Sequence, residues 1–185
     1  MKSLVHSQLS HKDYLFRRIK DSEIQLMFEM ILSRMRWMDE VGIEQWNKTE
    51  YDKVYPINFF KEHSDNGRVF VLEHLPSRAI TAAAVFKDED DRWETPEEKW
   101  VDYSYPDSAL YLHNFVSDLS HPGAGKIFMM LAQKHLSQNG IKFFRLDSAV
   151  GNDKLEKYYS DMGFTPAGVC VDGLYTGVLR QKKLQ

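Results

Sequence analysis

The 185-residue chain has a single cysteine, no run of basic residues and no long apolar stretch, and each scarcity removes a class of protein. Cys170 alone cannot close an internal disulfide or supply a multi-cysteine metal site, so a reducing compartment, the cytoplasm, is the expected location. The 24 lysines and arginines are outnumbered by 27 acidic residues and are scattered. Gripping a phosphate backbone takes clustered cations, so nucleic acid is not an expected partner. No segment approaches the roughly 18 apolar residues of a membrane span, and MKSLVHSQLSHKDYLFRR lacks the apolar run of a secretory leader, so no membrane partner is expected either. Internal repeats and low-complexity tracts are also missing.

What is present has the balance of a soluble globular protein: 43% hydrophobic and 28% charged residues, with a formal net charge of -3. The length suits one domain over residues 1–185 with a core of ordinary size. From Ser22 the apolar positions Ile24, Met27, Phe28, Ile31, Met35 and Met38 recur at helical spacing, and Ser22 with Gln25 has the form of a capping box. A short helix is expected after Asn47, which is spaced from Glu50 as a cap would be; Pro56 then interrupts before INFFKEH resumes. VGIEQW reads as the loop between helices. After Asp65-Asn66-Gly67, RVFVLEH and AITAAAVF read as a hairpin around Pro76-Ser77.

Residues 87–108, KDEDDRWETPEEKWVDYSYPDS, carry too much charge and proline for a core element and read as a long solvated connection, its acidic run Asp88 to Asp91 included and its tryptophans partly tucked in. ALYLHNFV is the next strand and runs through SDLSHPGAGK into a helix ending near Gln138, where Asn139-Gly140 is a stop signal. IKFFRLD is a strand, GNDKLEKYYSDMGF a helix, and the closing segment a hairpin around Asp172-Gly173.

SHPGAG, Ser120 to Gly125, places two glycines at a helix start, where unpaired amides and the helix dipole favour phosphate. It is not a Walker loop, which needs glycine where Ser120 stands and Ser or Thr where Ile127 stands. It is not a dinucleotide fingerprint, whose third glycine would replace Phe128. It resembles the acyl-CoA loop of the GNAT superfamily of N-acyltransferases, Q/R-x-x-G-x-G/A, with Ser120, His121, Pro122, Gly123, Ala124 and Gly125 fitting everywhere except the first place. The family's later N-x-x-A-x-x-x-Y-x-x-x-G-F pattern is met by Asn152, Tyr159, Gly163 and Phe164, with Leu155 at the alanine place. The resemblance is best carried by residues 67–180; Trp37, Gln45 and Trp46 are more loosely similar to the acceptor pocket of bacterial members.

The resemblance implies an α/β fold of GNAT type: a mixed, mostly antiparallel central sheet flanked by helices, with a splayed strand pair that binds acyl-CoA. It implies an N-acetyltransferase that uses acetyl-CoA and no metal, and moves the acetyl group to a primary amine by direct attack. Pyrophosphate would meet the loop from Ser120 and His121 through Gly123, Ala124, Gly125 and Lys126, and the pantetheine arm the backbone of Phe115 and Val116, with Asn152 bonding its cysteamine end. Tyr159 would be the general acid. For the base, His113, Asp118 and a water relay stay open. The tryptophans favour a small-molecule acceptor, and nothing opposes a homodimer. An acyl-CoA sensor or scaffold without turnover, and an acetyltransferase of protein N-termini, are the alternatives.

Each residue also has a plainer role. The glycines can shape a tight turn, Asn152 is an ordinary N-cap, Gly163 a helix stop and Tyr159 a core aromatic. His113 can be structural, the tryptophans and the methionines of the first long helix can be packing, and Cys170 a small buried apolar side chain.

Overall fold

A computed structural model of the chain describes residues 8–94, 98–99, 109–173 and 175–185. These fall into two compact units, each assembled from separated stretches. Leu4–Phe86 and Asn114–His135 belong to the first unit, Lys87–His113 and Leu136–Gln185 to the second, so the chain changes unit inside one strand and inside one helix.

The first unit opens on a hairpin that sequence reading did not foresee, β1 (Gln8–His11) and β2 (Tyr14–Arg18), joined at Lys12 with φ 51°. Its turn has neither glycine nor asparagine at that left-handed position, and so carries none of the usual hairpin signature. β2 pairs antiparallel with β3 (Val69–His74), and β3 with β4 (Ala79–Lys87), the expected hairpin. A 3-10 turn, Asp21–Glu23, leads into α1 (Ile24–Val41). Ser22 is not the cap. The Lys20 amide donates to the Glu23 carboxylate at 2.9 Å, and Arg17 holds the same carboxylate at 2.7 and 2.8 Å, so a distant ion pair decides where the helix begins. Gly42 ends α1 at φ 69°.

The single turn α2 (Tyr51–Val54) and α3 (Ile57–Asp65), which starts after Pro56, follow as expected, whereas a 3-10 turn at Trp46–Lys48 takes in the end of the expected loop. Asn47 caps none of them. Its Oδ1 accepts from the Gln45 amide and its Nδ2 donates to Asp39. One face of α1, with Met27 and Ile31 buried and Met30 and Met35 partly so, joins Phe60, Val69, Val71 and Val85 in a core; Met38, nearer its end, is buried too. Phe16, Phe70, Phe86 and Phe128 form a second, wholly aromatic cluster in the same unit, with ring centroids 5.1–6.5 Å apart. Each such ring buried contributes about 1.5–3 kcal/mol.

In the second unit the strand order is β6-β7-β9-β8-β5. β6 (Ala109–Ser117) pairs parallel with β7 (Phe143–Ala149), whereas β7 with β9 (Tyr175–Lys183), β9 with β8 (Thr165–Asp172), and β8 with β5 (Glu98–Lys99) are antiparallel. α5 (Ala124–Gln138) crosses from unit to unit and ends before Gly140 at φ 74°; α6 (Asp153–Asp161) lies between β7 and β8. The stretch 87–108 departs from its expected solvated character where it is described. Asp91–Glu94 forms the single turn α4, Trp93 is 3% exposed, and Asp90 is 6% exposed. Residues 95–97 and 100–108, which hold Trp100, lie outside the described residues.

Candidate functional site

The candidate residues divide between the units. In the first unit, β6 ends at Ser117, and the Asp118 amide donates to the Thr81 carbonyl at 2.9 Å, so the strand stays tied to β4 up to the turn. The Asp118 carboxylate then folds the next residues around itself. It accepts from the Ser120 amide at 3.0 Å and the Ser120 hydroxyl at 2.8 Å, and meets His121 Nδ1 at 2.9 Å. Partial burial opposes its charge, but these contacts outweigh it and hold Asp118 below its ordinary value. An anion stabilised in this way is a poor proton acceptor near neutral pH, which weighs against Asp118 as the base.

Ser120 and His121 thus organise the turn with their side chains, and its open part is backbone. Gly123 sits at φ 89°, where a side chain would be strained, yet a Cβ built there meets nothing within 4 Å. The Ala124 amide donates to the His121 carbonyl and the Ile127 amide to the Gly123 carbonyl. That leaves the Gly125 and Lys126 amides as the unclaimed donors of the first turn of a 15-residue helix. Open space before a glycine, free amides and the positive end of the helix dipole fit a phosphate. Lys126 is exposed beside them, whereas Ala124 and Gly125 are buried.

Phe115 and Val116 lie on β6 ahead of this turn. Val116 is 2% exposed within the α1–α3 core and Phe115 packs on Phe128, so both side chains serve packing and a ligand would meet only their backbone. Asn114 has φ 51°, a left-handed residue inside a strand, and donates from Nδ2 to the Tyr51 hydroxyl at 2.7 Å. Trp46 stacks on Tyr51 at 4.5 Å, and Trp37 lies under the Arg34 guanidinium at 4.9 Å. Arg34 also donates to the Ser117 carbonyl. Gln45 is half-buried, and its amide is taken by Asn47.

The second unit holds the remaining candidates. Asn152 caps α6, its Oδ1 accepting from the Leu155 amide at 3.0 Å. Tyr159 is 6% exposed and packed edge-on against Phe164, while Tyr158 is half-buried. Burial, with Asp147 and Tyr158 adding to it, raises the Tyr159 phenol well above its ordinary value. Raised, it stays protonated across the neutral and alkaline range and remains a proton donor.

A charged cluster that sequence reading did not assemble surrounds His113. His113 Nε2 lies 3.2 Å from Asp90 Oδ2. Arg92 Nη1 meets Asp147 Oδ1 at 2.9 Å, Arg92 Nε meets Asp172 Oδ2 at 3.4 Å, and the Tyr175 hydroxyl donates to Asp147 Oδ2 at 2.5 Å. Asp90, His113 and Asp147 bring ligand atoms within 4.8 Å of one another. Burial works against the Asp90 charge, but His113 and Arg92 prevail and hold it below the ordinary carboxylate value. Cys170, 2% exposed, has its thiol pushed up to about 12, by burial first and by Asp147 next, as an inert core residue would.

No protein-family model matches the chain. No curated protein matches it. Solved structures do. A GNAT family acetyltransferase from Listeria monocytogenes 4b F2365 superposes with a TM-score of 0.72 at 22% identity, over 96% of this chain and 100% of that one. One from Streptococcus agalactiae 2603 gives 0.72 at 18% identity, over 96% and 99%. The yncA protein from Salmonella typhimurium, solved with its cofactor acetyl-CoA, gives 0.61 at 14% identity, over 94% and 95%. The mixed, mostly antiparallel strands with their flanking helices match those structures: this chain has the GNAT fold.

Proposed function

We propose that this protein is an N-acetyltransferase that moves an acetyl group from acetyl-CoA to a primary amine of a small molecule within a ternary complex. The observation that carries the reading is the glycine turn at the head of α5, with its open face and unclaimed amides, in a chain of this fold. Acetyl-CoA supplies an acyl thioester, and the chain has to hold it, accept a proton from the amine and give one to the departing sulfur. Gly123, Ala124, Gly125 and Lys126 hold the pyrophosphate through backbone and charge, and the backbone of Phe115 and Val116 runs along the pantetheine arm. Asn152 holds its cap and, with its remaining hydrogen-bonding capacity, the cysteamine end. Tyr159, kept protonated by its burial, donates to the thiolate. His113 takes the proton from the amine. Trp37, Gln45 and Trp46 supply an aromatic, half-buried wall for the acceptor. The reaction proceeds in the cytoplasm; among the described residues no helix is long and apolar enough to cross a membrane.

Two observations favour a second reading, a binder of acyl-CoA without turnover. Tyr159 is nearly inaccessible, and Ser120 offers no long side chain to the pyrophosphate. Calorimetric titration with CoA and acetyl-CoA, followed by turnover against spermidine, lysine and kanamycin, separates the possibilities. Binding with turnover supports the enzyme, binding without turnover the sensor, and absence of binding by the folded protein overturns both. Gly123→Ala is the needed control beside Gly123→Glu, since both share the strain at φ 89° and only the second adds bulk and charge.

A further inference from the structure

Two guanidinium groups of the first unit are withdrawn from solvent, and they are compensated differently. Arg17 lies between two carboxylates, 2.7 Å from Glu23 Oε1 and 2.7 Å from Glu73 Oε2. Arg34, half-buried on α1, comes within ion-pair distance of no carboxylate among the described residues. Burial lowers its pKa from the ordinary arginine value, and the more distant Asp118 only partly opposes this. The group stays charged all the same, because arginine keeps its proton throughout the neutral range. Asp118 is in any case committed to Ser120 and His121.

The hydrogen bonds of Arg34 do not account for its charge. Both are made by Nη2, to the Ser117 carbonyl and, at 3.4 Å, to the Ser117 hydroxyl. A neutral amide side chain donates to a carbonyl too, so that contact does not require a cation. Nε and Nη1 make no hydrogen bond among the described residues, and neither is sealed from solvent. The group is also held still: its Cζ lies 4.9 Å from the centre of the Trp37 ring, a cation–π contact, while Ser117 fixes Nη2. A fixed, half-buried cation with reachable N–H groups recovers its lost hydration when an anion docks on it. Trp37 belongs to the proposed acceptor wall, and Ser117 directly follows Val116, whose backbone is proposed to run along the pantetheine arm. The phosphates of the cofactor have their own donors at the head of α5, so the anion left for Arg34 comes from the acceptor.

We propose that Arg34 is a specificity-determining residue: its guanidinium receives, through Nε or Nη1, the carboxylate of an acceptor that carries both a primary amine and a carboxylate, as amino acids and their derivatives do. The role rests on the acetyltransferase function proposed above and names its class of acceptor. The same charge repels polycations, so polyamines and amino sugars are selected against by the group that selects for amino acids.

Two pairs of amines that differ only in the carboxylate test this on the whole protein: L-lysine against cadaverine, and L-phenylalanine against phenethylamine. In at least one pair, acetyl-CoA consumption should favour the carboxylate member by about 10- to 100-fold in kcat/KM, the worth of a charge-assisted hydrogen bond. Arg34→Gln should bring that ratio to within about twofold of one, and Arg34→Lys, which keeps the charge, should restore part of it. Equal rates within both wild-type pairs, or a ratio that survives in Arg34→Gln, overturn the proposal. A raised KM for acetyl-CoA in Arg34→Gln with the ratio kept would give the guanidinium to a cofactor phosphate and overturn it too. Binding is read without turnover from the Arg34 Nε–H signal in proton–nitrogen spectra, assigned by its absence in Arg34→Lys. It should move when L-lysine or L-phenylalanine is added and stay put with the two decarboxylated amines. A signal that neither amino acid moves overturns the proposal whatever the turnover, and does so even if Arg34→Gln fails to fold. A signal that moves with the amino acids while acetyl-CoA is consumed with none of the four would support the carboxylate site and overturn the acetyltransferase reading for these amines alone.

Discussion

The turn at the head of α5 and the cluster around His113 treat polar groups in opposite ways. In the turn, Asp118 gathers the Ser120 and His121 side chains inward, and the space before Gly123 is left open. In the cluster, carboxylates, guanidinium and phenol are turned on one another, and little of them is exposed. Under the proposed function the two arrangements would suit two tasks. A site for a strongly hydrated phosphate works through open, preorganised donors, whereas a site that moves a proton works through charges whose surroundings do not rearrange.

The largest effect should come from the proton-moving side. Tyr159→Phe is expected to lower kcat by about 10²- to 10⁴-fold with CoA affinity unchanged, read by steady-state kinetics beside calorimetry. Because burial raises the Tyr159 phenol, its ionisation should not produce a fall in rate between neutral pH and pH 10; such a fall, lost in Tyr159→Phe, would show a phenol far less protected than its packing implies. Gly123→Glu should weaken CoA binding by about 10- to 100-fold, the loss of one or two charge-assisted hydrogen bonds, whereas Gly123→Ala keeps most of the affinity. Equal losses in both variants would place the effect in strain and erase the contrast between turn and cluster.

Smaller changes should separate the two regions by stability. Tyr175→Phe strips a hydrogen bond from the buried Asp147 carboxylate and should cost about 1–3 kcal/mol in chemical denaturation. Asp118→Asn should cost less at neutral pH and show itself mainly in acid. Its hydrogen bonds hold the folded-state Asp118 below the ordinary carboxylate value, so its contribution is present above that value and lost as pH falls through the lower folded one. The wild type should therefore lose stability in acid more steeply than Asp118→Asn; parallel acid curves would mean that Asp118 organises nothing.

The turn was legible in the sequence because it is local. Gly123, the start of α5 and the Asn152 cap all follow from neighbours along the chain, and all stand where spacing put them. The cluster was not legible, because its members come from distant segments and because Asp90 sits in a run of acidic residues that composition assigns to solvent. The same reason explains the start of α1. Ser22 has the better local capping chemistry, but Arg17, anchored on Glu73 at 2.7 Å, draws Glu23 into the capping role. Tyr158 and Tyr159 show the limit most plainly, since adjacent identical residues differ in burial only once the helix has a neighbour to face.

The interleaving of the two units has a consequence for the order in which the chain can fold during synthesis. Every stretch of the first unit precedes Leu136, so its aromatic and aliphatic cores can close while later residues are still being added. The second unit needs Lys87–His113 and then Leu136–Gln185, so the Asp90–His113 pair waits for β7, β8 and β9 before Asp147, Asp172 and Tyr175 surround it. The ribosome thus presents the turn before the cluster. Until the last strands arrive, the acidic run around Asp90 stays in water, where its charges are cheapest to hold.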